Sequence, residues 1–225
     1  MAISFINSSA DADAASGNLS VTPPATLTND IMILAVTSHD NVAISLPAGW
    51  TIYQESNNTV IMRASLAWKR CVEAEAAFTI THTDGDGIVA NVAVYRGCIS
   101  TVSPIDVSTL TNNISSGICT ANSITTTVTE AMIVFTMHDS AKGLSSAQAA
   151  TDPATFTERF DNGSNLGLDQ AVSGADGLQS VLGATGDATG SLTGGLNINS
   201  GGLTALIPEL VTTPANSLMM VGVGI

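Results

Sequence analysis

Apolar residues in this chain come in runs of strand length, and turn-forming residues end every run. Ile31-Met32-Ile33-Leu34-Ala35-Val36 is continuous, and Ile88 to Tyr95 nearly so. Such runs, bounded by turn chemistry, read as strands buried on both faces. They are far short of the ~20 residues that a membrane-spanning helix needs. Thr51-Ile52-Tyr53-Gln54, Ser65-Leu66-Ala67-Trp68-Lys69 and Ala77-Phe78-Thr79-Ile80-Thr81 alternate apolar and polar residues, as half-buried strands do. Pro47-Ala48-Gly49, Asn57-Asn58 and Asp84-Gly85-Asp86-Gly87 supply the turns. The Ala-rich patches at Asp11 to Ala15 and Ala147 to Ala150 carry no stripe of 3.6-residue period. The fold class expected is therefore all-β.

The second half repeats the order of the first. Asp30 to Leu34 lines up with Glu130 to Val134, His39-Asp40 falls near His138-Asp139, and Pro47 to Thr51 matches Pro153 to Thr157. Phe78 to Ile80 and Ile88 to Ala90 have weaker counterparts in Leu192 to Gly194 and Leu203 to Ala205. A period of ~100 residues exceeds the ~20–50 of solenoid units. Two small sandwiches, or one sandwich with two related sheets, satisfy the pattern. The second is preferred, because half a module leaves sheet edges and apolar faces uncovered. The expected organisation is one β-sandwich domain over 1–210, with pseudo-repeats at about 29–106 and 129–210. A C-terminal strand or arm, 211–225, would follow. Between Asp161 and Gly202 the spaced Leu residues suggest short strands joined by long polar loops.

Charge narrows the partners. Only 11% of the 225 residues are charged, against ~25% in an ordinary soluble domain. Acids outnumber bases 19 to 6, for a net charge of -13. That balance repels phosphate backbones, so no nucleic-acid partner is expected. With 2 Trp, 2 Tyr and 5 Phe the chain lacks the aromatic girdles of an outer-membrane barrel, and no membrane partner is expected. Met1 to Phe5 has no basic segment leading into an apolar core, so no signal peptide is expected. Cys71, Cys98 and Cys119 are odd in number and form no CxxC pair. Free thiols fit folding in a reducing cytoplasm.

Candidate sites are few. Asp84 and Asp86, alternating on a tight turn, are a calcium candidate, although no closing Glu completes an EF-hand pattern. Trp50 and Trp68 are a glycan-binding candidate, with core packing the commoner role for each. His39, His82 and His138 have no Gly-x-Ser-x-Gly elbow or HExxH motif beside them. No catalytic residue is assigned, no cofactor beyond that calcium is expected, and the chain is read as not an enzyme. The tail holds Leu218, Met219, Met220, Val221 and Val223, an apolar set suited to a last strand or to docking on a neighbouring subunit.

The succession Thr28 to Ala35, Leu46-Pro47-Ala48-Gly49-Trp50-Thr51, Ala67-Trp68-Lys69, Ala90 to Gly97 and Pro104-Ile105-Asp106 has a recognisable cadence. It resembles a family of jelly-roll-like β-sandwich modules found in bacteriophage structural proteins and some bacterial surface proteins. Ser123 to Thr126 and Phe156-Thr157-Glu158-Arg159 continue the pattern, and the resemblance spans roughly Ser4 to Leu210. The chain departs from it at Leu203 to Pro208, where the family's final strand is often a run of Ala and Leu. The resemblance implies a jelly-roll-like antiparallel sandwich with an internally duplicated strand pattern. It also implies a virion setting, with assembly in the bacterial host cytoplasm. The expected function is a virion structural protein, above all a capsid decoration or cement protein on the head exterior. Its partners would be the major capsid protein or other virion proteins, and it would form a homo-oligomer such as a trimer. The alternative is a tail, baseplate or fibre component, or a carbohydrate-binding adhesin module.

Overall fold

The computed structural model describes residues 2–141, 145–193 and 195–209, with backbone alone for 145–147. All regular elements among them are strands, and every strand pairing is antiparallel. The first half supplies β1 (Ser4–Ser8), β2 (Ala12–Ala14), β3 (Leu19–Val21), β4 (Ile31–Ser38), β5 (Thr51–Asn58), β6 (Met62–Arg70), β7 (Phe78–Ile80) and β8 (Ile88–Arg96). The second supplies β9 (Ile105–Ser116), β10 (Ile118–Ala121), β11 (Ala131–Asp139), β12 (Ser145–Ala149), β13 (Thr157–Ser164), β14 (Gln170–Gln179), β15 (Ala188–Leu192) and β16 (Asn197–Leu206).

Each half builds one large sheet. The first has the order β5-β6-β4-β8-β1, with β2 also on β8; the second has the order β13-β14-β11-β16-β9. Apart from β2, the strands of both sheets, ranked by position in the chain, follow the same order across the sheet. Two smaller sheets flank them, β3-β7 and β10-β15-β12.

Three apolar clusters show how these layers stack. Ile31, Ile33, Ala35, Ala93 and Tyr95 of the first large sheet meet Met132, Val134, Phe160, Val172 and Leu206 of the second. Met32, Leu34, Val36, Val92 and Val94, on the other face of the first sheet, meet Leu19, Val21 and Ile80 of the β3-β7 pair. Ile133, Phe135, Met137 and Leu203 meet Cys119, Ala121, Ala188 and Leu192 on the outer side of the second sheet. The two large sheets therefore lie in the middle, face to face, and each is covered on its outer side by a small sheet of its own half. This arrangement explains the continuous runs. Odd and even residues of β4 enter different clusters, as do those of β8 and β11, so both faces must be apolar.

The loops between Asp161 and Gly202 are shorter than the Leu spacing suggests. β14 and β16 are each 10 residues long, although β14 reads Gln-Ala-Val-Ser-Gly-Ala-Asp-Gly-Leu-Gln. Its glycines are places where other side chains fill the space. A Cβ on Gly174 would overlap the Phe160 ring, and one on Gly177 would meet Pro153 and Thr155.

Candidate functional site

The face between the two large sheets changes character along its length. At the end where β4 begins it is apolar, around Ile31, Tyr95 and Met132. At the end where β4 finishes, the same face is lined by Thr37, Asn91, Thr136, His138, Asn162 and Gln170, all buried. Buried polar groups need partners, and several find them across the interface. The Thr37 hydroxyl donates to the Ala171 carbonyl (2.9 Å) and lies 3.0 Å from His138 Nδ1. Asn58 Nδ2 donates to the carbonyls of Asn199 (2.7 Å) and Asn113 (2.9 Å). Tyr53 and Thr204 share a hydrogen bond of 2.9 Å. Other atoms in this layer have no protein partner: His138 Nε2, Thr136 Oγ1, Asn91 Oδ1 and both polar atoms of Gln170. Burial lowers the His138 imidazole to about 4 and raises the neighbouring Asp139 carboxyl to about 7.

One charged group clamps the halves together. Arg159 on β13 donates from Nε and Nη2 to Asp176 on β14, at 2.8 and 2.7 Å. Its guanidinium carbon sits 4.3 Å above the Phe5 ring of β1. Phe5 in turn packs edge-on against Tyr95, whose hydroxyl bonds Asp176. Burial and the Asp176 carboxylate hold the Tyr95 phenol well above its usual range.

The residues singled out by sequence are dispersed. Asp84 and Asp86 are exposed on the turn before β8, and Asp84 takes φ +57°. That turn closes over His82, since a Cβ on Gly85 would fall inside the His82 ring. Asp40 organises it by accepting from the Asp86 and Val42 amides (2.7 Å each), with His82 Nε2 at 3.3 Å. Among the described residues, no three His, Cys, Asp or Glu side chains converge as a metal site. Trp50 packs on Phe78, ring centroids 4.8 Å apart, on the outer face of the first sheet, whereas Trp68 packs against the cluster between the large sheets. The two rings do not form a common platform, and each would have to act alone. Leu218, Met219, Met220, Val221 and Val223 lie outside the described residues.

The sequence reading missed a different feature. Large apolar side chains are exposed at both ends of the sheet stack. At the end where β4 finishes, the β5–β6 turn presents Val60 and Ile61, the adjoining ends of β9 and β10 present Ile114 and Ile118, and the segment before β16 presents Leu196, with Val60 and Leu196 each 77% exposed. The Asn58 bonds to Asn113 and Asn199 tie these segments together across the halves. At the opposite end Leu27, Val72, Val102, Val181 and Leu182 are exposed. Leu182 borders an apolar groove of about 470 Å³ lined also by Ile99, Val128, Ile207 and Pro208. Apolar pairs inside turn segments, such as Val60-Ile61 and Val181-Leu182, were the available signal, because turn positions otherwise favour polar residues.

Comparison with family models, with curated proteins and with solved structures finds no match for this chain.

Proposed function

We propose that this protein is a structural component of a bacteriophage particle and acts by assembly, as a decoration or cement subunit on the head exterior. The observation that carries the reading is the exposed apolar side chains at both ends of the sheet stack. Exposed apolar groups gathered in one place mark interaction surfaces. The chain as a whole carries few charged residues, which suits the desolvated centre of a protein–protein contact. The cadence of short motifs supports the virion setting. The shared strand order of the two large sheets supports an internally duplicated strand pattern. The partners on this reading are the major capsid protein and further copies of this chain, three around a symmetry axis. The tail residues Leu218 to Val223 are a further contact of the assembled state.

The test is binding of the purified protein to undecorated heads. Saturable binding that stabilises the heads, and that is lost in Val60→Asp/Leu196→Asp, is the expected result. Absence of binding refutes the head assignment. Binding to glycans that is lost in Trp68→Ala would favour an adhesin instead.

A further inference from the structure

We infer that the apolar surface at the end where β4 finishes is the contact between copies of this chain, turned toward the axis of the homo-oligomer. The inference deepens the assembly reading, on which it rests, by naming the partner of one of the two apolar ends.

Val60, Ile61, Ile114, Ile118 and Leu196 lie on three adjoining segments. Asn112 Nδ2 donates to the Asn57 carbonyl (3.2 Å) and Asn58 Nδ2 to the Asn113 carbonyl (2.9 Å), which joins the β5–β6 turn to β9. Ser116 is the register partner of Asn197, and its carbonyl accepts from Asn199 Nδ2 at 2.9 Å. A Cβ on Gly117 would stand 3.2 Å from the Gly195 carbonyl oxygen, so the link between β9 and β10 lies against the segment before β16. These contacts fix the segments within one copy, and a preorganised surface loses little freedom on binding.

The backbone at this end is held in a costly conformation. Thr59, just before Val60, takes φ +66°, and Ser115, just after Ile114, takes φ +52°. The left-handed region is disfavoured for a β-branched residue such as Thr. Strained positions of this kind collect at functional sites. Here they flank Val60, 77% exposed, and Ile114, 66% exposed.

Charge selects a second copy as the occupant. Residues 56–62, 107–129 and 188–208 carry all five side chains and contain no charged residue, although the chain has 19 acids and 6 bases. Arg63 and Glu55, which flank the first of these stretches, pair with each other at 2.9 Å. Copies that each carry a net charge of -13 repel. Around a symmetry axis every copy presents the same region to the others, so the region that meets its own kind must be uncharged. The opposite end fails this requirement. There Leu27 donates its amide to the Asp30 carboxylate (2.8 Å), and Val72 stands beside Glu73 and two residues from Arg70. Asp40, Asp84 and Asp86 share the end where β4 finishes, but they lie after β4 and before β8, away from the β5 edge of the first sheet.

The test is sedimentation velocity of the full-length protein over a concentration series. The wild-type protein is expected to associate reversibly, and more tightly as salt screens its net charge. Val60→Asp/Leu196→Asp should raise the dissociation constant roughly tenfold or more for each side chain, the scale set by burying one such residue. Leu182→Asp, at the opposite end, should leave it little changed. Val60 and Leu196 are each 77% exposed, so their substitution leaves the fold intact. Wild-type protein that stays monomeric at ~100 μM overturns the inference. So does association that salt weakens, or association lost in Leu182→Asp and kept in the double variant. Adding the same samples to undecorated heads separates this inference from the reading beneath it. Wild-type protein that binds heads as a monomer overturns the inference and leaves the assembly reading in place. Self-association lost in the double variant, with no head binding by the wild-type protein, upholds the inference and refutes the head assignment.

Discussion

Replacing Arg159 by alanine strips the clamp between the halves of its cation and leaves Asp176, 2% exposed, as a buried carboxylate. Removing one partner of a buried ion pair costs ~3–5 kcal/mol, mostly because the remaining charge is stranded. The Arg159 side chain is itself 26% exposed, so water partly fills the gap and places the cost near the lower bound. Loss of the contact with the Phe5 ring adds ~0.5–1 kcal/mol. The expected destabilisation is about 3–4 kcal/mol, read as a lower urea midpoint with an unchanged slope. Asp176→Asn should cost less, because it leaves behind a guanidinium that water can reach. In the double variant the effects should fall short of the sum, as expected for groups in contact. A loss below about 1 kcal/mol for Arg159→Ala, or strict additivity in the double variant, would refute the clamp.

Other consequences are as direct. Folded Asp139 keeps its proton up to about pH 7, so its share of stability falls as pH rises from about 4 to 7. Folded His138 stays neutral down to about pH 4, so its share rises over about 4 to 6.5. The two oppose each other, so relative to wild type Asp139→Asn should add a gain of stability with rising pH between about 4 and 6.5 and His138→Gln should add a loss, as measured by denaturation at each pH. Gly174→Ala should cost ~1–3 kcal/mol in chemical denaturation, because the new methyl group overlaps the Phe160 ring. Burial pushes the Cys71 and Cys98 thiols up to about 11 and about 12, and Cys119 higher still. Maleimide should therefore label none of the three in the native protein at pH 7 and all three in denaturant.

The first half was legible because its strands are strongly patterned. The segments Ile31 to Val36 and Ile88 to Tyr95 fall within β4 and β8, since burial on two faces leaves few polar positions to blur the signal. β14 was not legible. Its Ser173, Gly174, Asp176 and Gly177 look like loop residues, and they form a strand because Phe160 and Pro153 occupy the volume their side chains leave. The paired segments ending in Trp50 and Phe156 were visible in sequence. They precede β5 and β13, where each ring packs on another aromatic, Phe78 at 4.8 Å and Phe135 at 5.6 Å. The polar layer around His138 could not be foreseen. Thr37, His138 and Ala171 are distant in sequence, and only the facing of the two sheets brings them into contact. The exposed apolar residues were hidden for a related reason: Val60 of the first half and Ile114 and Leu196 of the second come to the same end of the stack only when the two sheets face each other.

The proposal that this chain is a subunit of a phage particle's shell is tested most directly by locating it. Antibody labelling of purified phage particles whose genome encodes the protein should decorate the head across its whole lattice. Label confined to the tail tip, or particles that carry none of the protein, would contradict the account.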